Sequence, residues 1–109
     1  MASYIGGARW TVYGPTKAAI IQLSKNCASA WANDNIQVNT ILPGYIDTAM
    51  TKPLQVMPDF HANALRRTAA GRIGIPDDFA GIAGFLASSA SDFVTGADIP
   101  VDGGLLWGA

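Results

Sequence analysis

The chain has 109 residues, a formal net charge of −1 and only 7 Lys plus Arg, which argues against a nucleic-acid or anionic-membrane surface. Hydrophobic residues make up 50% and charged residues only 14%, against roughly 25% charged in an average domain. That balance suits either an interior piece of something larger or an Ala- and Gly-rich domain with a modestly polar surface.

Apolar stretches are broken by Gly, Ser or Asp well short of the roughly 20 residues needed to span a bilayer. Met1 is not followed by a basic region and an apolar run, so no leader is expected. Cys27, the 1 cysteine, has no internal disulfide partner and suits a reducing, cytoplasmic compartment.

Residues 1–9 read as a loop punctuated by Gly6 and Gly7. A helical pattern follows from Val12 to Ala32, with Ile20, Leu23, Cys27 and Ala30/Trp31 recurring at steps of three and four as its apolar stripe. Pro15 falls in the first turn, where its missing N–H costs little. Ile36 to Leu42 is rich in branched apolar residues and reads as a buried parallel strand stopped by Pro43-Gly44.

Residues 45–71 read as irregular except for a helix from Pro58 to Ala69, and Gly71 to Ile75 as a turn. Pro76-Asp77-Asp78 opens another helix, with Phe79, Ile82, Ala83 and Leu86 as its apolar face. Ala97 to Val101 reads as a short strand ended by Asp102-Gly103-Gly104. The order strand, helix, helix, strand is a crossover unit whose strands should be parallel. Two such strands need further neighbours on their edges, so a segment before residue 1 is expected.

Tyr13 and Lys17 lie four apart and share a helix face. A phenol with a pKa near 10 is a poor proton carrier at neutral pH, and a neighbouring ammonium favours its phenolate. A tyrosine so placed can protonate a developing alkoxide or deprotonate an alcohol. The spacing alone is common by chance. His61 stands alone in a polar stretch and reads as surface, Cys27 as core, and Trp10, Trp31 and Trp107 as packing or interface anchors. No His or Cys cluster has metal-ligand spacing, so no metal site is expected.

The segment Tyr13-Gly14-Pro15-Thr16-Lys17-Ala18-Ala19 resembles the Y-x-[A/P]-[S/T]-K-A-A signature of the short-chain dehydrogenase/reductase family. Ile36-Gln37-Val38-Asn39 is similar to the family's I-x-V-N strand, and Pro43-Gly44-Tyr45-Ile46-Asp47-Thr48 to its P-G-x-[I/V]-x-T segment. Gly71-Arg72-Ile73-Gly74-Ile75-Pro76-Asp77-Asp78 resembles the G-R-x-G-x-P-[E/D]-[E/D] turn, and Phe85-Leu86-Ala87-Ser88 continues it. Val94-Thr95-Gly96 through Val101-Asp102-Gly103-Gly104 resembles the closing T-G-x-x-x-x-V-D-G-G.

The resemblance implies an α/β fold: the C-terminal part of a doubly wound, Rossmann-like parallel sheet, residues 1–109 forming one incomplete portion of a single domain. It implies an NAD- or NADP-dependent oxidoreductase acting on a secondary alcohol or ketone, with a sugar, sugar acid or polyol as the substrate guess. Tyr13 is then the catalytic acid/base, and Lys17 favours its phenolate and hydrogen-bonds the nicotinamide ribose. Pro43 and Gly44 pack on the nicotinamide, while the Ile46 main chain and Thr48 side chain hold the carboxamide or a nearby phosphate. Residues 49–68 match the variable substrate-binding loop, although an ordinary surface loop has the same profile. Assembly as a homotetramer or dimer is implied for the parent protein.

The sequence also departs from the family pattern. No glycine-rich fingerprint opens a helix, and Gly6-Gly7 has no strand before it. The position matching the catalytic serine falls one residue before Met1, and Ser3 lies three positions too late. The N-terminal dinucleotide-binding half is therefore expected to be missing and the chain alone inactive. The alternative is a non-catalytic fragment acting only through subunit association.

Overall fold

The computed structural model describes residues 2–8 and 10–108, so the expected loop over 1–9 is described except at Met1 and Arg9, and Ala109 also lies outside. Helix α1 spans Tyr13–Trp31. A 3-10 turn over Ala32–Asp34 ends it, and Asn35 takes the left-handed conformation at φ 57°, with its N–H bonded to the Ala32 carbonyl. Asparagine tolerates that region because its short amide bonds locally.

Strand β1 covers Thr40–Pro43 and β2 covers Asp98–Val101, paired in parallel with Thr40 opposite Asp98 and Pro43 opposite Val101. Between them lie α2 at Lys52–Gln55, α3 at Pro58–Arg67, a 3-10 turn at Pro76–Phe79 and α4 at Ala80–Leu86. The expected crossover and its parallel sense are thus observed.

The strand expected over 36–42 begins only at Thr40. Residues 37–39 are fastened through side chains instead. Asn39 donates from Nδ2 to the Val94 carbonyl at 2.7 Å and accepts at Oδ1 from the Ala97 N–H at 3.0 Å. The Val38 N–H reaches the Thr95 hydroxyl, and its carbonyl takes the Gly96 N–H. Asparagine there mimics a ladder rung and turns the incoming chain into register.

The core is small: Ile21, Ala28, Leu42, Tyr45 and Ile46, with Thr68 and Ser91 as buried polar residues. The apolar stripe expected on α1 is not its buried face. Gly14, Ile21 and Ala28 are buried, whereas Ile20 is 47% and Leu23 60% exposed. At Gly14 and Ala28 the inward residue is small because other backbone comes close. A Cβ on Gly14 would stand 3.0 Å from the Ala2 carbonyl, and Ala28 packs on the Gly96 turn. Cys27 is half-buried rather than core, and Trp10, Trp31 and Trp107 are exposed. On α4 the expected face is half-buried at Ile82 and Leu86, with Phe79 before it, but Ala83 is exposed.

Two polar ties hold the ends. Asp98 Oδ2 accepts from the Tyr4 hydroxyl and from Lys25 Nζ at 2.7 Å, joining the N-terminal loop and α1 to β2. Burial, the largest single influence on Asp98, raises its pKa, but the hydrogen bonds from Lys25 and Tyr4 outweigh it and hold the carboxyl below its usual range. Asp102 caps the turn that follows β2, accepting from the N–H groups of Gly104 and Leu106.

Candidate active site

All six residues singled out from the sequence, Tyr13, Lys17, Pro43, Gly44, Ile46 and Thr48, line one cleft of about 850 Å³. Helix α1 supplies the first two. The Tyr13 side chain is 49% exposed, and Lys17 Nζ stands 5.4 Å from its ring centroid, within cation–π range. One helical turn fixes that pairing: the Gly14 and Thr16 N–H groups bond back to the Trp10 and Val12 carbonyls, so helical geometry already holds at Tyr13.

The end of β1 supplies the other four. Gly44 donates its N–H to Val101 and crosses Asp102 so closely that a Cβ would fall 2.6 Å from the Asp102 Cα. Only glycine permits that approach. Ile46 then forms an isolated parallel bridge with Gly74: the Gly74 N–H bonds to the Tyr45 carbonyl at 2.9 Å and the Asp47 N–H to the Gly74 carbonyl at 2.8 Å. In a parallel bridge these bonds use the neighbours of Ile46, so its own N–H and C=O face the opposite edge. Its carbonyl accepts from the Thr51 hydroxyl. Thr48 is exposed, with its Oγ1 3.3 Å from Thr51 Oγ1.

Residues 49–68 close this side. The segment is less irregular than expected, because α2 forms where Pro53 sits in the first turn. Asp47 anchors it, pairing with Lys52 at 2.8 Å and accepting from Gln55 at 2.9 Å. The Lys52 hydrogen bond, followed by that of Gln55, holds the Asp47 carboxyl below its usual range.

His61 is half-buried and not a free surface residue. Its Nδ1 lies 3.2 Å from the Tyr45 hydroxyl, and Phe60 packs edge-on to the same ring. Burial pushes the Tyr45 phenol up, with Asp47 adding to the effect.

Ser3, three positions from the serine site, and Trp10, read as a packing anchor, both line the cleft, as do Asn63 and Arg67 from the 49–68 segment matched to the substrate-binding loop, where neither was singled out. Only tertiary packing brings α3 opposite α1, so no local signal marked Asn63 or Arg67. Among the described residues no group of three His, Cys, Asp or Glu is placed to hold a metal ion, and no helix is long and apolar enough to cross a membrane.

A hydroxyl, an ammonium, a second hydroxyl and outward-facing main chain beside the flat apolar Pro43-Gly44 turn make a donor set that fits a nicotinamide and its ribose. Among the described residues no strand and glycine-rich turn lead into a helix, so the fit extends to that end of a dinucleotide only.

The chain belongs to the short-chain dehydrogenase/reductase family. Residues 1–106 match a family profile described as Enoyl-(Acyl carrier protein) reductase. The solved short-chain type dehydrogenase/reductase from Mycobacterium ulcerans is 34% identical and superposes with a TM-score of 0.89, over 98% of this chain and 38% of its own.

Similarity is higher to proteins of sugar chemistry. The 2-dehydro-3-deoxy-D-gluconate 5-dehydrogenase of Dickeya dadantii is 46% identical over 106 residues, 97% of this chain and 42% of the relative. A structure from Agrobacterium tumefaciens assigned as a 2-deoxy-D-gluconate 3-dehydrogenase, with bound NADP, is 43% identical with a TM-score of 0.92, covering 96% of this chain and 43% of that one. The chain thus spans well under half the length of the relatives it matches. Their names differ from one another and from the profile's, so the likeness defines a family and a fold, the partial parallel sheet of a Rossmann-type dehydrogenase, and leaves the reaction to be argued from the site.

Proposed function

We propose that the protein carrying this chain is an NAD- or NADP-dependent oxidoreductase acting on a secondary alcohol or ketone of a sugar, sugar acid or polyol. The observation that carries the reading is the convergence of Tyr13, Lys17, Pro43, Gly44, Ile46 and Thr48 on one cleft. The nicotinamide, when bound, supplies or accepts the hydride.

The chain's own residues manage the rest. In the oxidation direction the alcohol carbon gives up hydride, and the Tyr13 oxygen takes the hydroxyl proton as the C=O bond forms; reduction runs the same steps backwards. The Lys17 ammonium supplies positive charge beside the phenolate and a donor for the ribose. Pro43 and Gly44 offer an apolar rest for the ring, and Ile46 and Thr48 offer hydrogen bonds to the carboxamide or a nearby phosphate. Residues 1–109 form one portion of a single Rossmann domain in this reading.

A cytoplasmic homo-oligomer, a tetramer or dimer, completes the proposal; the exposed apolar stripe of α1 supports the assembly. The same stripe favours a second reading, in which the chain by itself acts only through subunit association.

Spectrophotometric assays of the holoenzyme against a panel of sugars, sugar acids and polyols with each nicotinamide cofactor test the first reading. Turnover lost in Tyr13→Phe supports it. Absence of cofactor binding together with specific pairing to a full-length relative supports the second.

A further inference from the structure

Among the residues lining the cleft, Lys17 and Arg67 are charged, and no carboxylate joins them. Lys17 is already engaged over the Tyr13 ring. Arg67, half-buried at the last position of α3, forms no salt bridge or side-chain hydrogen bond among the described residues. The other arginines among the described residues differ: Arg66 donates to Asn63 at 2.6 Å, and Arg72 makes a bidentate pair with Asp78. A half-buried arginine that lines a cleft with no carboxylate among its described lining residues favours an anionic ligand there.

Asn63 sharpens the chemistry. It sits one helical turn before Arg67 on the same face of α3 and lines the same cleft. A guanidinium can only donate, so the bond from Arg66 occupies the Asn63 Oδ1 and leaves the Nδ2 group, two donors, for other partners. This wall of the cleft therefore offers N–H donors from a guanidinium fork and an amide. A carboxylate accepts at both oxygens and matches such a fork.

We infer that Arg67, assisted by Asn63, binds a carboxylate of the substrate, so that the preferred substrate is a hydroxy or keto acid and not a neutral polyol. The inference rests on the oxidoreductase reading for its reaction, but not for its binding chemistry. The competing explanation is structural: Arg67 ends α3, where a cation suits the helix dipole, and the Gly108 backbone lies against its carbonyl.

The test uses the holoenzyme with D-gluconate and its neutral counterpart D-glucitol. Both are titrated calorimetrically into wild type, Arg67→Met and Arg67→Lys, and KM and kcat are measured where turnover occurs. Arg67→Met is expected to weaken gluconate binding by about 10- to 100-fold, as for loss of a charge-assisted bidentate contact. Glucitol binding should change little, and Arg67→Lys should recover part of the loss. If Arg67→Met fails to fold, Arg67→Lys carries the comparison, with a smaller selective loss expected.

Equal weakening of both ligands, or wild type binding glucitol as tightly as gluconate, overturns the inference while leaving the oxidoreductase reading intact. Selective gluconate binding lost in Arg67→Met, without turnover of any alcohol, keeps the inference and removes that reading.

Discussion

The proton exchange proposed for Tyr13 needs a reachable phenol, and about half of its surface is exposed, with the Lys17 ammonium over its ring. Tyr13→Phe removes only the hydroxyl. Holoenzyme kcat should fall by about 10²- to 10⁴-fold, while the melting free energy stays within roughly 0.5 kcal/mol, as for an exposed substitution. Steady-state rates and thermal melts on the same preparations check this; a matching loss of stability would reassign Tyr13 to the fold. The Tyr13–Lys17 pair was legible because one helix carries both at a four-residue step. The roles of Pro43, Gly44, Ile46 and Thr48 came from family resemblance, since no periodicity marks an apolar turn as a binding surface. Arg67 and Asn63 fell within the 49–68 segment that the resemblance marked as the substrate-binding loop, but nothing singled them out inside it, because their partner wall, α1, lies some fifty residues away and only packing unites them. His61 misled because its polar neighbours suggested solvent, whereas its ring meets Tyr45.

The turn leaving β1 forms part of the cleft wall and the turn entering α4 lies outside it, and each depends on one residue type. Gly44→Ala would drive a Cβ to 2.6 Å from the Asp102 Cα and 2.8 Å from its carbonyl oxygen, both backbone atoms that cannot swing aside. A loss of about 1–3 kcal/mol is expected from such overpacking, read as a lower denaturant midpoint. At the second turn Asp78 receives two hydrogen bonds from Arg72 and one from the Ile75 N–H, which closes the first turn before α4. Arg72 foremost, then the Ile75 N–H, holds the carboxyl at about 2, well below its ordinary value of 3.8. The folded value is depressed, so this group's stabilisation is fully present above the unfolded pKa and fades as pH falls from about 4 through about 2. Asp78→Asn should therefore lower the melting temperature at neutral pH, and the gap from wild type should close across that acid window in melts followed by circular dichroism. Element boundaries were legible where punctuation was strong: Tyr13–Trp31 and Pro58–Arg67 fall within a few residues of the pattern. The inward face of α1 was not legible, because periodicity marks an apolar stripe without saying what it meets, and close backbone at Ala2 and Gly96 selects the small residues instead. β1 starts late because Asn39 spends its amide fastening the chain that precedes β2.

The whole molecule is open for its size. Its accessible surface is 7052 Å², whereas a folded monomer of its 11.4 kDa mass is expected to expose about 5,800 Å². The radius of gyration is 15.4 Å, against about 13 Å for a compact chain of this length. No side chain among the described residues is completely buried, so the apolar burial that offsets chain entropy in a compact domain is thin here. Exposed apolar residues run from Tyr4 to Trp107, Ile20 and Leu23 lie open along α1, and β1 pairs with β2 on one edge while its other edge has no partner strand among the described residues. An apolar helix face beside an unpaired strand edge invites other chains to cover both. The 109-residue polypeptide, produced alone, is therefore expected to self-associate and to unfold without a sharp cooperative transition. Sedimentation velocity over a range of concentrations, paired with differential scanning calorimetry, measures both. A concentration-independent monomer with one sharp endotherm would mean that the two-stranded sheet and α1 suffice as a core. The unpaired β1 edge would then need a different account. Concentration-dependent assembly with a broad melt would instead place the missing burial between chains, on the α1 face and the β1 edge.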